Sequence, residues 1–194
     1  MEQMTFQQAI DNLSHTGFNP MPDKVQINIP NAKELLWLGL SHFEGSSAQW
    51  LGEYEGIVDW LQNNEGKGLL CYGNCGRGKS LICWKILPVL IHNRYKKVVS
   101  CYDAQQMNAD IDEVKSKHLI YIDDIGTENV SIKYGEKRLA FSEIVDEAEK
   151  RGKLLIVTTN LSLEEIAQKY GERTMDRLVA ITKRVKFLGN SLRR

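Results

Sequence analysis

The chain has 194 residues, of which 42% are hydrophobic and 26% charged, so it is long enough for one folded domain and is not a disordered protein. Its 25 basic and 25 acidic residues cancel, but residues 1–60 hold eight acids against two lysines and carry −6, which leaves +6 on the remainder. That asymmetry fits an acidic arm and a basic end that faces phosphates or another subunit, or simply two solvated surfaces. No apolar stretch approaches the roughly 20 residues that cross a bilayer, and the N-terminus lacks the apolar centre of a signal peptide. We therefore expect a cytoplasmic protein without membrane contact.

The four cysteines favour the same compartment. They form no C-x-x-C pair, and Cys71 and Cys83 lie in apolar runs, where a free thiol acts as a small hydrophobe. Cys75 and Cys101 complete the set. A disulfide framework is typical of shorter, secreted chains, so we expect reduced thiols.

The first third of the chain favours short helices. One carries Phe6, Ile10 and Leu13 at helical spacing, a second follows Asn31, and a third presents an apolar stripe between residues 50 and 61. Prolines over 17–30 predict a connector between the first two.

From Gly66 onward, apolar strands alternate with helical segments. Strands are predicted over 69–72, 98–102, 119–122, 154–157 and 185–188, and helices over 79–93, 104–114, 136–151 and, as a pair, 162–180. Pro88 lies two turns into the first of these helices and should kink or end it. The alternation predicts an α/β fold, a parallel sheet covered on both faces, with ligands at the carboxyl ends of the strands.

The strongest signal for chemistry is a glycine-rich segment between the first strand and its helix. It reads Gly73-Asn74-Cys75-Gly76-Arg77-Gly78-Lys79-Ser80 and fits G-x-x-x-x-G-K-[ST] at every fixed position. Its glycines let successive backbone N–H groups face an anion, and the following helix adds the positive end of its dipole. Lys79 supplies a charge for the phosphates and Ser80 a hydroxyl for Mg²⁺. A chance glycine-rich turn is the structural alternative.

Two acids end the strand that follows about 40 residues later. The pattern places Asp123 where it holds the Mg²⁺ shell and makes Asp124 the candidate base that orients the attacking water. Asn160 ends the next strand and is placed to bond the same water or the γ-phosphate, unless it merely forms a turn. Arg173 and Arg177 share one helical face and suit a phosphate, or pair locally with Glu172 or Asp176.

Together these motifs resemble the AAA+ ATPases, and among them the bacterial helicase-loader group of DnaC-like loaders and IstB-type transposition helpers. The similarity runs from about residue 50 to 194 and is carried by GNCGRGKS (73–80), IDDIGTE (122–128), TTNLSLEE (158–165) and YGERTMDRL (170–178). It implies a P-loop NTPase of AAA+ type, in which residues 46–194 form the ATPase core and residues 1–45 a helical arm that binds a partner. As a departure from the family, we expect no lid domain after the core. The arm's alternative is that it merely packs on the core.

The resemblance also implies roles for individual residues. Lys79 and Ser80 match the residues that bind nucleotide and Mg²⁺, Asp123 and Asp124 the Walker B pair, and Asn160 sensor 1. Arg177 matches an arginine finger that completes the site of a neighbouring subunit, with Arg173 one turn earlier. Arg193, in a closing G-x-S-x-R, matches sensor 2.

The implied activity is Mg²⁺-dependent ATP hydrolysis in a head-to-tail assembly that switches a replicative helicase or a transposase subunit. Direct DNA contact is weakly supported, because only Asp103 to Lys117 separate the second and third strands, where the loaders carry a DNA-contacting helical insertion. Two other functions stay open on the residues alone. One is an adaptor gated by nucleotide binding with little turnover, and the other is a small-molecule or nucleotide kinase.

Overall fold

The computed structural model describes residues 5–14, 16, 23–128, 131–133 and 136–192. Its strands are β1 (Gly68–Gly73), β2 (Ser100–Asp103), β3 (Leu119–Ile125), β4 (Ser131–Lys133), β5 (Glu136–Arg138), β6 (Leu154–Thr159) and β7 (Thr182–Phe187). Its α-helices are α1 (Phe6–Ser14), α2 (Ala32–Glu44), α3 (Tyr54–Gln62), α4 (Leu87–Tyr95), α5 (Ala104–Ala109), α6 (Ile111–Ser116), α7 (Ala140–Arg151), α8 (Leu163–Tyr170) and α9 (Glu172–Ile181). A 3₁₀ turn spans Gly45–Ser47, and a π-helical segment spans Leu81–Ile86.

Five strands form one parallel sheet in the order β2-β3-β6-β1-β7, and β4 and β5 form a separate antiparallel hairpin. Successive side chains of a strand point to opposite faces, so alternate residues of β1 enter two different cores. Leu69 and Cys71 join the cluster that contains α2, α3 and α4, whereas Leu70 joins the cluster built from α5 to α9. The predicted α/β fold with helices on both faces is confirmed.

Two of the predicted helices need correction. The segment 104–114 is two helices, because Asp110 ends α5 and its side chain accepts from the N–H of Glu113 to cap α6. The helix predicted over 136–151 begins only at Ala140, and residues 136–138 instead pair with β4. Short polar strands of this kind carry no apolar alternation, so the sequence gives little sign of them.

The kink expected at Pro88 stays a prediction, but Pro88 does not end its helix, because α4 runs on to Tyr95. This proline lies in the first turn of α4, directly after the π-helical segment, where the N–H of Leu87 bonds to the carbonyl of Ile82 five residues earlier. Pro88 has no N–H to donate, and it lies where the regular α-helical pattern of backbone hydrogen bonds is already interrupted by the wider π-helical turn.

Most of the described part of residues 1–45 packs on the sheet. Val25, Ile27 and Ile29 are buried in the same core as α2, and the buried amide of Asn64 bonds to the backbone of Val25 and Ile27. In α2, Leu36 and Leu40 are buried as well. By contrast, α1 buries no residue, and Phe6 is 83% exposed. The packing of residues 23–44 favours the alternative that this stretch packs on the core rather than forming a separate partner-binding arm. The domain boundary at 45/46 stays a prediction. None of the helices in the described part of the chain has the length and apolar character needed to cross a bilayer.

Candidate active site

The glycine-rich segment forms a tight loop between β1 and the π-helical segment. Gly73, Gly76 and Gly78 have φ of +107°, +70° and +86°, a region that disfavours side chains. A Cβ at Gly76 would lie 2.0 Å from Ser191 Oγ, and one at Gly78 would lie 2.6 Å from the Tyr54 hydroxyl. The loop is therefore closely confined by neighbouring chain segments, and only glycine fits at these two positions.

Lys79 is the cation of the site. It is 6% exposed, and its ammonium donates to the carbonyls of Gly73 and Asn74, each at 2.7 Å, and to Asn160 Oδ1 at 3.0 Å. Burial lowers the pKa of Lys79, and the neighbouring carboxylates Asp124 and Asp123 act in the opposite direction. Three protein oxygens thus hold the ammonium at the mouth of the loop, beside the strand end that carries Asn160.

Asp123 and Ser80 meet across the cavity floor. Ser80 Oγ donates to Asp123 Oδ1 at 2.8 Å, which links the start of the helix to the end of β3. Hydroxyl and carboxylate oxygens are the hard ligands that Mg²⁺ prefers, and Mg²⁺ is commonly held by one or two carboxylates together with substrate phosphates. Among the described residues no group of three or more His, Cys, Asp or Glu could hold a metal unaided. The donor set therefore fits a Mg²⁺ ion that arrives with a nucleotide.

Asp124 reaches the same cavity through a bulge in β3. Ile122 pairs with Val157 and Ile125 with Thr159, so β3 has one more residue than β6 between these pairs. Asp124 takes a φ of +52°, an uncommon and strained conformation for a residue other than glycine. In a regular strand the two acids would point to opposite faces. The bulge instead places both beside the glycine-rich loop, and Asn160 Nδ2 donates to Asp124 Oδ1 at 2.8 Å.

Two buried hydroxyls support the acids from below and were not predicted as site residues. The hydroxyl of Tyr121 donates to Asp123 Oδ1, and Thr158 Oγ1 donates to the same oxygen at 2.6 Å. The N–H of Asp124 in turn donates to Thr158 Oγ1 at 3.0 Å. The sequence held a signal for both: Tyr121 lies two residues before Asp123 on the same strand, and Thr158 lies near the end of its strand, two residues before Asn160.

These side chains surround a cavity of about 550 Å³, a size usual for small-molecule sites. Its far wall comes from segments that the sequence gave no reason to place here, namely Leu40, Glu44, Ser47, Gln49, Tyr54 and Leu192. Of the glycine-rich loop, residues 75, 76 and 78–80 line the cavity, whereas the carbonyls of Gly73 and Asn74 bind Lys79.

Arg77 points away from the cavity and braces the loop. Its Nε lies 2.5 Å from Glu53 Oε1, and its Nη1 donates to the carbonyl of Asn190 at 3.0 Å. The N–H of Leu192 donates to the carbonyl of Gly76 at 2.8 Å. The segment 189–192 and the start of α3 therefore clamp the glycine-rich loop from two sides.

Arg173 and Arg177 lie outside this cavity. Both face α7, where Arg177 pairs with Asp146 and, through Nε at 3.1 Å, with Glu149. Arg173 lies 3.9 Å from Asp146 and is 76% exposed in its side chain. Their carboxylate partners are thus on a neighbouring helix rather than at the predicted Glu172 and Asp176. Arg193 lies outside the described residues.

All four cysteines are free, as predicted. Cys71 and Cys83 are fully buried, with their sulfur atoms 3.8 Å apart, while Cys75 is exposed on the glycine-rich loop and Cys101 is half-buried.

The loop, the paired acids and the five-stranded parallel sheet define a P-loop nucleoside triphosphatase. The chain belongs to the Novel STAND NTPase 3 (nSTAND3) family, whose sequence model matches residues 52–190. A search of curated proteins finds no match to this chain.

Several solved structures with the same fold are described as replication or primosome proteins. A candidate primosome component from Streptococcus pyogenes serotype M3 matches with a TM-score of 0.60 at 18% identity, over 86% of this chain and 93% of that one. The DnaC helicase loader matches with a TM-score of 0.54 at 19% identity, over 83% and 93%. The replication initiator DnaA, bound to AMPPCP and single-stranded DNA, matches with a TM-score of 0.51 at 17% identity, over 71% and 46%. At these identities the likeness concerns the fold alone.

Proposed function

We propose that this chain binds ATP with Mg²⁺ in the cavity beside Lys79, hydrolyses it, and acts as a DnaC-like helicase loader in DNA replication. The observation that carries the enzymatic part is the joined set of Lys79, Ser80, Asp123, Asp124 and Asn160 around one cavity. The helicase part is supported by the likeness to a structure described as the DnaC helicase loader, whose chain this one spans almost fully.

Each residue contributes one part of the hydrolysis. The backbone N–H groups of the glycine-rich loop and the ammonium of Lys79 neutralise the phosphates. Ser80 and Asp123 are the residues that would hold Mg²⁺, which would supply charge neutralisation for the phosphates. Asp124 accepts a hydrogen bond from the attacking water and Asn160 fixes the Asp124 carboxylate. Water oxygen bonds to the γ-phosphorus as the bond to the bridging oxygen breaks, which gives ADP and phosphate.

The charge that develops on the γ-phosphate needs a further cation. Within the described residues Lys79 is the basic side chain that lines the cavity. We assign the missing cation to Arg177 of a neighbouring copy, with Arg173 beside it. Supply in trans needs head-to-tail contacts, which are heterologous and generate rings or open spirals. A transposase subunit in place of a helicase would use the same mechanism.

Two substitutions separate binding from hydrolysis. Lys79→Ala removes the phosphate cation and is expected to abolish ATP binding, whereas Asp124→Asn keeps the cavity and is expected to bind ATP but lose at least 100-fold in turnover. Calorimetric titration with Mg²⁺ and ATP and a phosphate-release assay measure the two steps. Retention of the replicative helicase of the same genome on the immobilised chain, with and without ATP, is followed in parallel.

Lys67→Ala is the matched control, because Lys67 precedes β1 and does not line the cavity. It should behave like the parent in every assay. Hydrolysis in Lys79→Ala at the parental rate would overturn the enzymatic proposal. ATP-independent helicase binding, or none, would overturn the loader proposal while leaving the ATPase intact. Removing residues 1–22 tests the arm without cutting into the core that residues 25–29 help to build.

A further inference from the structure

The hydroxyl of Tyr121 lies in an apolar setting directly beneath the acids. Tyr121 is fully buried, and the indole of Trp84 packs edge-on against its ring at 5.6 Å and 88°. Trp84 belongs to the π-helical segment that follows the glycine-rich loop. From this buried position the hydroxyl donates to the carboxylate of Asp123.

One carboxylate oxygen takes all the hydroxyl donors found around Asp123. Ser80, Tyr121 and Thr158 each donate to Oδ1, and Oδ2 accepts none of these three bonds. Ser80 approaches from the helix, whereas the other two come from within the sheet, on β3 and β6. The hydroxyl oxygens of Tyr121 and Thr158 lie 3.2 Å apart, so the two donors approach Oδ1 side by side.

We propose that Tyr121, with Thr158, is a positioning residue that fixes the Asp123 carboxylate for Mg²⁺, by anchoring Oδ1 in the sheet and directing Oδ2 to the metal shell. The proposal rests on the proposed function, since it concerns the ion that accompanies the nucleotide. The physical basis of the proposal is that Ser80 would have to change partners. If its hydroxyl binds the metal, it no longer donates to Asp123, which then keeps two of its three donors. The two sheet hydroxyls then keep the carboxylate from rotating. A phenylalanine at 121 would leave this task to Thr158 alone.

The test is the gain in ATP affinity that Mg²⁺ produces, measured by calorimetry in excess Mg²⁺ and in EDTA. A hydrogen bond to a charged group commonly contributes a tenfold effect or more. Tyr121→Phe is therefore expected to reduce the Mg²⁺-dependent gain by about five- to tenfold and to leave affinity in EDTA within twofold of the parent. Thr158→Val should act in the same direction, and it serves as the second variant if Tyr121→Phe folds poorly. Thr158→Ser, which keeps the hydroxyl, should restore most of the gain.

Tyr102→Phe is the matched control. It removes a hydroxyl from the neighbouring strand β2, and Tyr102 does not line the cavity. It should leave the Mg²⁺-dependent gain unchanged. An unchanged gain in both Tyr121→Phe and Thr158→Val, or an equal loss of affinity in EDTA and in Mg²⁺, would overturn the positioning role. A parent chain without ATP affinity would instead overturn the proposed function itself, so the two failures are distinguishable.

Discussion

At the scale of single residues, the site depends on side chains that position the glycine-rich loop but do not contact Lys79 or the two acids. Tyr54 is an example: it is 2% exposed, its ring contacts Trp50 and Phe187, and its hydroxyl donates to the carbonyl of Arg77 at 3.0 Å. It also lies against Gly78. A buried aromatic ring thus sets the position of the glycine-rich loop through one hydrogen bond and one close contact.

Tyr54 should make folding stability sensitive to alkaline pH. Burial, aided by the negative charge of Glu53, raises the pKa of Tyr54 to about 12 in the folded chain, against about 10 when unfolded. The unfolded state therefore loses this proton first as the pH rises. The resulting stabilisation is complete below pH 10 and is lost between pH 10 and 12, by about 1 kcal/mol at pH 11.

Urea unfolding of the parent and of Tyr54→Phe at pH 7 and pH 11 measures this effect. The phenylalanine variant lacks the titrating group, so its stability should fall less between the two pH values. Equal losses in the two proteins would show that the Tyr54 hydroxyl titrates normally. The comparison at pH 7 reports separately on the hydrogen bond to Arg77.

At the scale of elements, α2 packs in close van der Waals contact with the π-helical segment that follows the glycine-rich loop. A Cβ at Gly39 would lie 2.6 Å from Cγ2 of Ile86, which is the last residue of the π-helical segment and is buried. Nothing in the pattern of α2 indicated this contact, because glycine in a helix usually marks only weak propensity.

Gly39→Ala should therefore destabilise the fold despite the higher helix propensity of alanine. The added methyl group collides with a buried side chain, and overpacking of this kind costs about 1–3 kcal/mol, more than the ~1 kcal/mol that propensity returns. Gly52→Ala is the control, since a Cβ there meets nothing within 4 Å. Denaturant unfolding distinguishes them, and the double variant Gly39→Ala/Ile86→Ala should cost less than the sum of its parts. A stabilised Gly39→Ala would contradict the packing described here.

The elements that could be predicted share one property: their apolar residues follow a regular period. The strands around Leu70, Ile120 and Ile156 read as unbroken apolar runs because they are buried on both faces. The hairpin β4–β5 and the π-helical segment carry no such period, since one is polar and the other is defined by a single wider turn. The acids at 123 and 124 both line the cavity, and their roles stay a prediction; no sequence pattern indicated the bulge that turns both toward the cavity.

At the scale of the whole molecule, the arginines and the cavity belong to different surfaces. Arg177 pairs with α7, and neither it nor Arg173 lines the cavity. The sequence could show that the two arginines share a helix face, but only the folded chain shows that this face turns toward α7. The cavity wall formed by Leu40, Glu44 and Leu192 could not be predicted from the sequence either, because it joins segments about 150 residues apart.

A mixing experiment tests supply of Arg177 in trans. The Lys79→Ala variant lacks the phosphate cation in its cavity but keeps Arg177. The Arg177→Ala variant keeps the cavity but lacks the arginine, so each variant alone should hydrolyse ATP poorly. A finger of this kind is worth about 10³-fold or more, so an equimolar mixture at high concentration should regain a clear fraction of the parental rate. Glu149→Gln, which weakens a partner of Arg177 without removing it, serves as the control for damage to α7 and α9. A mixture no more active than its components would rule out the exchange.

The contacts of Lys79 determine what a phosphate would have to displace in the proposed function. Its ammonium already satisfies three acceptors, so each phosphate oxygen that it binds must displace the carbonyl of Gly73, that of Asn74, or Asn160 Oδ1. In the proposed function, phosphate binding would therefore exchange one protein partner of Lys79 for a phosphate oxygen. Asn160, one of the three partners, also donates to Asp124, so a single amide links the cation to the candidate base. A change at Lys79 would thus be felt at Asp124 through Asn160.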